Sequence, residues 1–500
     1  MAFPNTRQLS PHFIWITYAL VVGFGLAHHE IWMDEAHHWL VPRDSSTLWE
    51  MLQSLRYEGH PSLWNVLLYF SSFLSEEVWM MQLMHGLLAT GTIYLLSVHS
   101  PFPIWVKWLL PFGYFTLFEY GMISRNYALA FLLAFLFVKE WKKERASFLR
   151  LMIYLALLAN THLLGFCLSL LLCLHIPWKE ALPRISLVSI YLLGLALATW
   201  QIIPPGDHPM VTGLDWNKMT AWTSIKQVIL TFQESFFPLH DFNRHHFWHT
   251  NWLEQQNIDI ARMLSILVAI LPLWFFRKKA KSLLLFYGVA GGVILLSALK
   301  GVNYERFHGF IYLSFILLLW LEDGDFHLSK RRPLTIFLAL SLSVQLLGAI
   351  HAYYQDWRYP FSASHQTAAF LQSPEFQDLP IIGGYCFGEA LQAYLPRLRY
   401  PEHPDESFCR WEIFSPSYLD ELQTEDYYSR LLRYFLPYES STAILISHQA
   451  LTLTEEPLLR THETKTYELQ FIPLPSFTDN IKQMESFYLY RLQILPHTTN

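Results

Sequence analysis

Apolar stretches approaching twenty residues, repeated from the N-terminus to about residue 352, constrain the fold of this chain more than any other feature. Inside a bilayer every backbone N–H and C=O has to be paired within the segment, so such runs read as membrane-spanning helices. The stretches are 12–29, 77–98, 103–121, 126–140, 148–161, 162–177, 185–203, 260–276, 282–299, 306–321 and 334–351. The first carries no clear small-residue cleavage site and reads as a retained span. Only 15% of the 500 residues are charged, against about 25% in ordinary soluble chains. Many of the 19 Trp flank apolar runs, as interfacial belts do.

Orientation follows from the basic connectors. Lys139, Lys142, Lys143 and Arg145 form one cluster, Arg277, Lys278, Lys279 and Lys281 a second, and Lys330, Arg331 and Arg332 a third. The positive-inside rule assigns all three to the cytoplasm. To keep that parity, the apolar piece 62–75 reads as a short interfacial or re-entrant helix. About eleven spans result, with the N-terminus inside and the C-terminus outside. A membrane domain, 1–352, then carries external loops at 29–76 and 204–259, and 353–500 forms a small extracytoplasmic α/β domain. In that tail 380–384 and 443–447 read as buried strands, and 362–372 and 417–436 as helices. Cys386 and Cys409 would share an oxidising compartment and could pair; Cys167 and Cys173 read as packing residues. The net charge of −6 argues against nucleic acid as a partner.

Polar groups that could carry chemistry gather near the predicted outer face. His28-His29-Glu30 and Asp34-Glu35-Ala36-His37-His38 follow the first span, and His60-Pro61-Ser62-Leu63-Trp64 opens the interfacial piece. Ser124-Arg125-Asn126-Tyr127-Ala128-Leu129 and Tyr304-Glu305-Arg306-Phe307-His308-Gly309 open later spans. Charge deep in lipid costs about 2.5–3.5 kcal/mol on insertion scales, so Arg125 and Arg306 are either functional or snorkelling. On a helix, Asp34, His37 and His38 would share a face, as would His245, His246 and His249. Each set could offer metal ligands, although no His-Glu-x-x-His motif is present and no cofactor is firmly implied.

The acidic pair after the first span, the His-Pro-x-Leu-aromatic run, the Arg-x-Tyr-Ala-Leu run and the late Arg-x-x-Gly run occur in an order that resembles the GT-C superfamily of membrane glycosyltransferases. That group includes glycosyltransferase family 39, the protein O-mannosyltransferases, and the aminoarabinose and galacturonic-acid transferases that modify lipid A. The resemblance covers roughly residues 10–352. It implies transfer of a sugar from a polyprenyl-phosphate donor to a hydroxyl of a lipid, glycan or protein, at the outer face of a bacterial inner or plasma membrane.

Displacement at an anomeric carbon with a phosphate leaving group needs a base for the acceptor and cations for the phosphate. Asp34 is the expected base, with Glu35 as its orienting neighbour or substitute. Arg125 and Arg306 are expected on the donor phosphate. His60, Tyr127, His162 and His308 are further substrate-binding candidates, each with a plain reading as a cap or packing residue. A transporter or flippase for a lipid-linked or anionic substrate shares many spans and charged helix ends. The sequence has no internal duplication to favour that reading. An assembly or sensor protein is the third reading.

Overall fold

The computed structural model describes residues 6–176, 178, 185–206, 222–300, 303–322, 332–383, 388–400, 427–435, 442–452, 458–462 and 465–497. The membrane part opens with α1 (Thr6–His28), then three short helices, α2 (Met33–Asp44), α3 (Leu48–Leu55) and α4 (Leu63–Ser72). There follow α5 (Val78–Tyr94), α6 (Ile104–Leu109), α7 (Tyr127–Trp141), α8 (Phe148–Ala159), α9 (Leu163–Cys173) and α10 (Ile185–Ile202). Then come α11 (Trp222–Phe236), α12 (Ile258–Phe275), α13 (Ala280–Lys300), α14 (Glu305–Leu321) and α15 (Arg332–Arg358).

Among the described residues, six helical stretches are long and apolar enough to cross a membrane: Pro11–His28, Val78–His99, Ile185–Ile202, Ile258–Phe275, Ala280–Ala298 and Arg332–Arg358. Their outward faces show Leu20, Leu193 and Met263 about 70% exposed. Contiguous apolar exposure of that kind suits lipid and not water. The chain is a multi-span membrane protein.

The remaining expected spans are shorter or broken helices. Stretch 103–121 stops being α-helical after Leu109, at Pro111-Phe112-Gly113, and resumes as a π-helical turn, Tyr114–Glu119. Helices α8 and α9 meet at Asn160-Thr161-His162, where the His162 side chain caps α9 by accepting from the Leu164 N–H. Helix α14 sits at the centre, with every residue but Arg306 buried. Residues 62–75 contain the expected short helix, α4. The stretch 204–259 holds α11, whose Ser235 and Phe236 carbonyls accept from Gln345 and Ser341 of α15.

The tail carries α16 (Ser364–Leu371), α17 (Glu389–Tyr394) and α18 (Tyr427–Phe435), and the strands β1 (Ile381–Gly383), β2 (Leu398–Arg399), β3 (Thr442–Ser447), β4 (Leu458–His462), β5 (Lys465–Phe477) and β6 (Phe487–Pro496). They form one sheet of order β2-β1-β3-β6-β5-β4, parallel at β2-β1-β3 and antiparallel beyond. Buried Ile381, Ile444 and Ile446 face one core and Ile382, Ala443 and Leu445 the other, the two-residue alternation of a sheet covered on both sides. Cys386, Cys409 and most of 417–436 lie outside the described residues.

The tail docks on the membrane part at the start of α2. The Met33 N–H donates to Glu485 at 2.6 Å, and the Ser364 hydroxyl donates to the Ile31 carbonyl at 3.4 Å; within the tail, the Ile481 and Lys482 N–H groups donate to the Pro360 and Phe361 carbonyls. This docking brings tail residues to the candidate site.

Candidate functional site

Helix α2 follows α1 after a four-residue link, 29–32, and presents its first turn to the bundle. Asp34 and Glu35 are neighbours there, but adjacent helical side chains diverge by about 100°. The two carboxylates therefore go different ways.

Asp34 turns to the starts of α7 and α14. Its Oδ2 accepts from Arg125 Nη1 and from Arg306 Nη1, the latter at 2.6 Å. Both guanidiniums are almost buried, while a quarter of the Asp34 side chain stays open. Burial alone would push the Asp34 carboxyl up; the Arg125 and Arg306 charges outweigh it and hold the group well below the usual carboxylate range. One carboxylate against two guanidiniums leaves this triad net positive.

Glu35 turns inward and is fully buried. It accepts from His29 Nε2 at 3.0 Å, from the Trp32 N–H at 3.2 Å and from the Ser124 N–H at 2.5 Å. It ties α2 to the residue before Arg125. His29 reaches Asp356 of α15 through its other nitrogen, at 3.0 Å.

The Arg125 side of the triad continues through aromatic rings. The guanidinium lies 5.9 Å from the Tyr127 ring, Tyr127 meets His162 edge-on at 5.1 Å, and His162 stacks on His60 at 5.0 Å. His60 is held there because the next residues are anchored: Gln201 accepts from the Ser62 N–H at 3.0 Å, and Leu63 donates to Asn160 at 2.9 Å.

The Arg306 side carries groups that the sequence reading did not assign to the site. Arg306 packs over Tyr304 at 4.3 Å and faces the Trp32 ring at 5.5 Å. Trp32 meets Trp248 edge-on at 5.0 Å, and His249 stacks on Trp248 at 4.0 Å. Lys482, from the tail, sets its ammonium 5.0 Å from Trp32 and 4.7 Å from Trp248. Gly309 matters for Arg306. Tyr120 reaches over Gly309 to donate to the Arg306 carbonyl, and any Cβ at 309 would run into the Tyr120 ring.

Of the sequence candidates, Asp34, Arg125 and Arg306 are in direct contact, and Tyr127, His162 and His60 extend from them. Glu35 lies beneath. His308 sits on another side of α14, its Nε2–H donating to Asn303 Oδ1 at 2.9 Å and its other nitrogen facing Glu234 at 3.2 Å. Nothing local in the sequence marks Lys482, which lies 176 residues beyond Arg306 and acts through docking (482 − 306).

The two His-rich metal readings come apart in the fold. Asp34 goes to the arginines, His37 lies between Glu58 at 2.7 Å and Glu389 at 3.0 Å, and His38 accepts from Asn65 at 3.0 Å. The 245–249 segment is not helical: His245 faces Asp479, His246 faces the Ile481 carbonyl, and His249 is on Trp248. Among the described residues no three or more His, Cys, Asp or Glu converge in a way that could hold a metal ion.

The arrangement can bind an anion at the arginines, place an uncharged or hydroxylated group against the adjoining rings, and offer a carboxylate beside both. No protein-family model matches the sequence, and no curated protein matches it either. Among solved structures the chain is similar to ArnT from Cupriavidus metallidurans, crystallised bound to undecaprenyl phosphate, at 11% identity over 96% of this chain and 97% of that one, with a TM-score of 0.49.

Proposed function

We propose that this protein is a glycosyltransferase that moves a sugar from a polyprenyl-phosphate donor to an acceptor hydroxyl. The observation that carries the reading is the meeting of Asp34, Arg125 and Arg306, drawn from three separated GT-C-like motifs, at one partly open point of a membrane protein. A prenyl chain needs a lipid-facing helical bundle, its phosphate needs cations held rigidly, and the acceptor needs a base beside them.

In this proposal Arg125 and Arg306 take the donor phosphate. The acceptor O–H gives its proton to Asp34 as its oxygen attacks the anomeric carbon. The carbon–oxygen bond to phosphate breaks, and the lipid phosphate leaves with the electron pair. Alone with two guanidiniums, Asp34 is a weak base. A phosphate sharing those guanidiniums weakens their hold and returns basicity when donor is present. Glu35 is a positioning residue: it fixes the first turn of α2 and the backbone before Arg125. His60, Tyr127 and His162 line the Arg125 side, and the tail closes the other with Lys482.

The test is to incubate the purified full-length protein with radiolabelled polyprenyl-phosphate sugars, one at a time, together with membrane lipid and glycan acceptors. Label should leave the prenyl lipid for at least one donor, and Asp34→Asn should abolish most of that transfer. A chain that releases no label from any donor, and does not bind the lipid phosphates, would sink the reading.

A further inference from the structure

His249 stands out on two independent grounds. Its backbone has φ 62°, the left-handed region, and it is the sole non-glycine residue there among the described residues. A histidine so placed is strained, and such strain persists where a site needs the side chain in one place. Both ring nitrogens are also shut away from water without a hydrogen-bond partner among the described residues. Buried polar atoms without partners are rare in native proteins.

The surroundings say what is missing. The imidazole lies flat on Trp248, whose own Nε1 is fixed by donating to Glu119 at 3.1 Å, and faces the Tyr304 ring at 5.7 Å. Trp32 Nε1, next in the same cluster, is likewise buried and unpartnered. Asp34, Tyr304, Arg306, His249 and Lys482 keep part of their surface open, while Trp32 and Trp248 are covered. The partly open residues sit beside the covered aromatic rings, and Tyr304 lies between His249, at 5.7 Å, and the Arg306 guanidinium proposed to hold the donor phosphate, at 4.3 Å. Burial, and then the Lys482 and Arg306 charges, hold the His249 imidazole well below its ordinary range, so it is neutral. A neutral imidazole offers one donor and one acceptor. That pair matches a hydroxyl, which does both, and not a phosphate oxygen, which only accepts.

We infer that His249, with Trp32, Trp248 and Tyr304, forms the subsite for the transferred sugar, and that its ring nitrogens bond a hydroxyl of a hexose-like ring beside Arg306. This rests on the proposed donor class and adds to it the residue that reads the sugar. The Arg125–Arg306 pair recognises the lipid phosphate whatever it carries; His249 distinguishes a sugar-bearing lipid from a bare one.

The experiment measures binding of undecaprenyl phosphate, bare or carrying glucose, mannose or galactose, to the full-length protein in nanodiscs. The wild type should bind at least one sugar-bearing lipid about tenfold more tightly than the bare lipid, as a paired hydrogen bond in a dry site allows. His249→Phe keeps a ring that can stack but has no nitrogens, and it suits the left-handed backbone less well than histidine. It should bind the bare lipid as the wild type does and lose the sugar advantage. His249→Asn, which tolerates the left-handed backbone and carries both a donor and an acceptor, should recover part of the advantage. An advantage that survives in His249→Phe, bare-lipid binding that weakens in step with it, or a wild type that prefers none of the three sugars would each overturn the subsite. A wild type that does not bind bare undecaprenyl phosphate at all would instead overturn the donor class on which it rests.

Discussion

Two guanidiniums on one carboxylate oxygen make a positive site with a built-in competitor, and that predicts how single changes should separate. Asp34→Asn keeps shape but removes both the proton acceptor and the charge that competes with phosphate. Transfer should fall by about 10²–10⁴-fold, the usual worth of a general base, while donor binding measured directly should hold or tighten. Arg125→Ala or Arg306→Ala should weaken donor binding, and lysine at either position should restore only part of it, because it returns charge without the planar fork. Glu35→Gln should behave differently. It strips the charge from a buried cluster with His29, and removing one partner of such a pair costs about 3–5 kcal/mol, so its signature is a lowered melting temperature in addition to lost activity. In sequence Asp34 and Glu35 look like equivalents, and only the angle between successive helical positions separates them. Arg125 and Arg306 were legible because motifs carry them. Lys482 and Glu389 were not, because each reaches α2 from the tail across hundreds of residues of chain.

Helix α2 is held at both ends of its first turns by imidazoles between carboxylates, and the His37 clamp is the one that joins it to the tail. His37 donates to Glu58 and to Glu389 of α17, which needs both nitrogens protonated. Burial opposes that charge, but Glu389 and then Glu58 outweigh it and raise the imidazole well above its ordinary range. A raised histidine contributes stability that is complete below the unfolded-state value and is lost as pH rises through the folded one. The contact between α17 and α2 should therefore loosen on the alkaline side. Amide exchange in 389–394 should accelerate as pH climbs, after correction for the intrinsic rate, and His37→Gln should remove that dependence. Exchange in 389–394 that ignores both pH and the substitution would contradict the clamp. Elements with strong apolar patterning were readable from sequence, as α1, α5, α10, α12, α13 and α15 show. Helix α11 was hidden inside a predicted loop because Thr231, Gln233, Glu234 and Ser235 look solvated. In the fold, Gln233 accepts from Asn251 through its side chain, its own N–H donates to Ser265 at 2.9 Å, and the Ser235 carbonyl accepts from Gln345. Paired polar groups pack where unpaired ones could not.

At the scale of the whole molecule, α7 and α14 start at one end and finish at the other, and this fixes what must lie together. Arg125 and Arg306, just before or within their first turns, meet Asp34 at the first end. At the second end, Lys142 donates to the Leu321 carbonyl at 3.4 Å, and Lys279 pairs with Glu322 at 3.2 Å. Two basic clusters that lie apart in the sequence are thus on the face opposite the candidate site. The tail shares the site's face, because Met33, Lys482 and Glu485 are in one contact region. If positive residues mark the cytoplasm, Asp34, the 245–250 loop and the tail must all be outside, where a lipid-linked sugar and an envelope acceptor would be found. Reporter fusions should then place residues 142 and 279 in the cytoplasm and residue 450 outside, and a membrane-impermeant thiol reagent should label a cysteine introduced at 450 in intact cells. A cytoplasmic 450 would put the arginine pair, the aromatic cluster beside it and the tail on the same wrong side together. Their shared docking allows no arrangement in which only one of them moves, so a single fusion at 450 tests the orientation of the entire site.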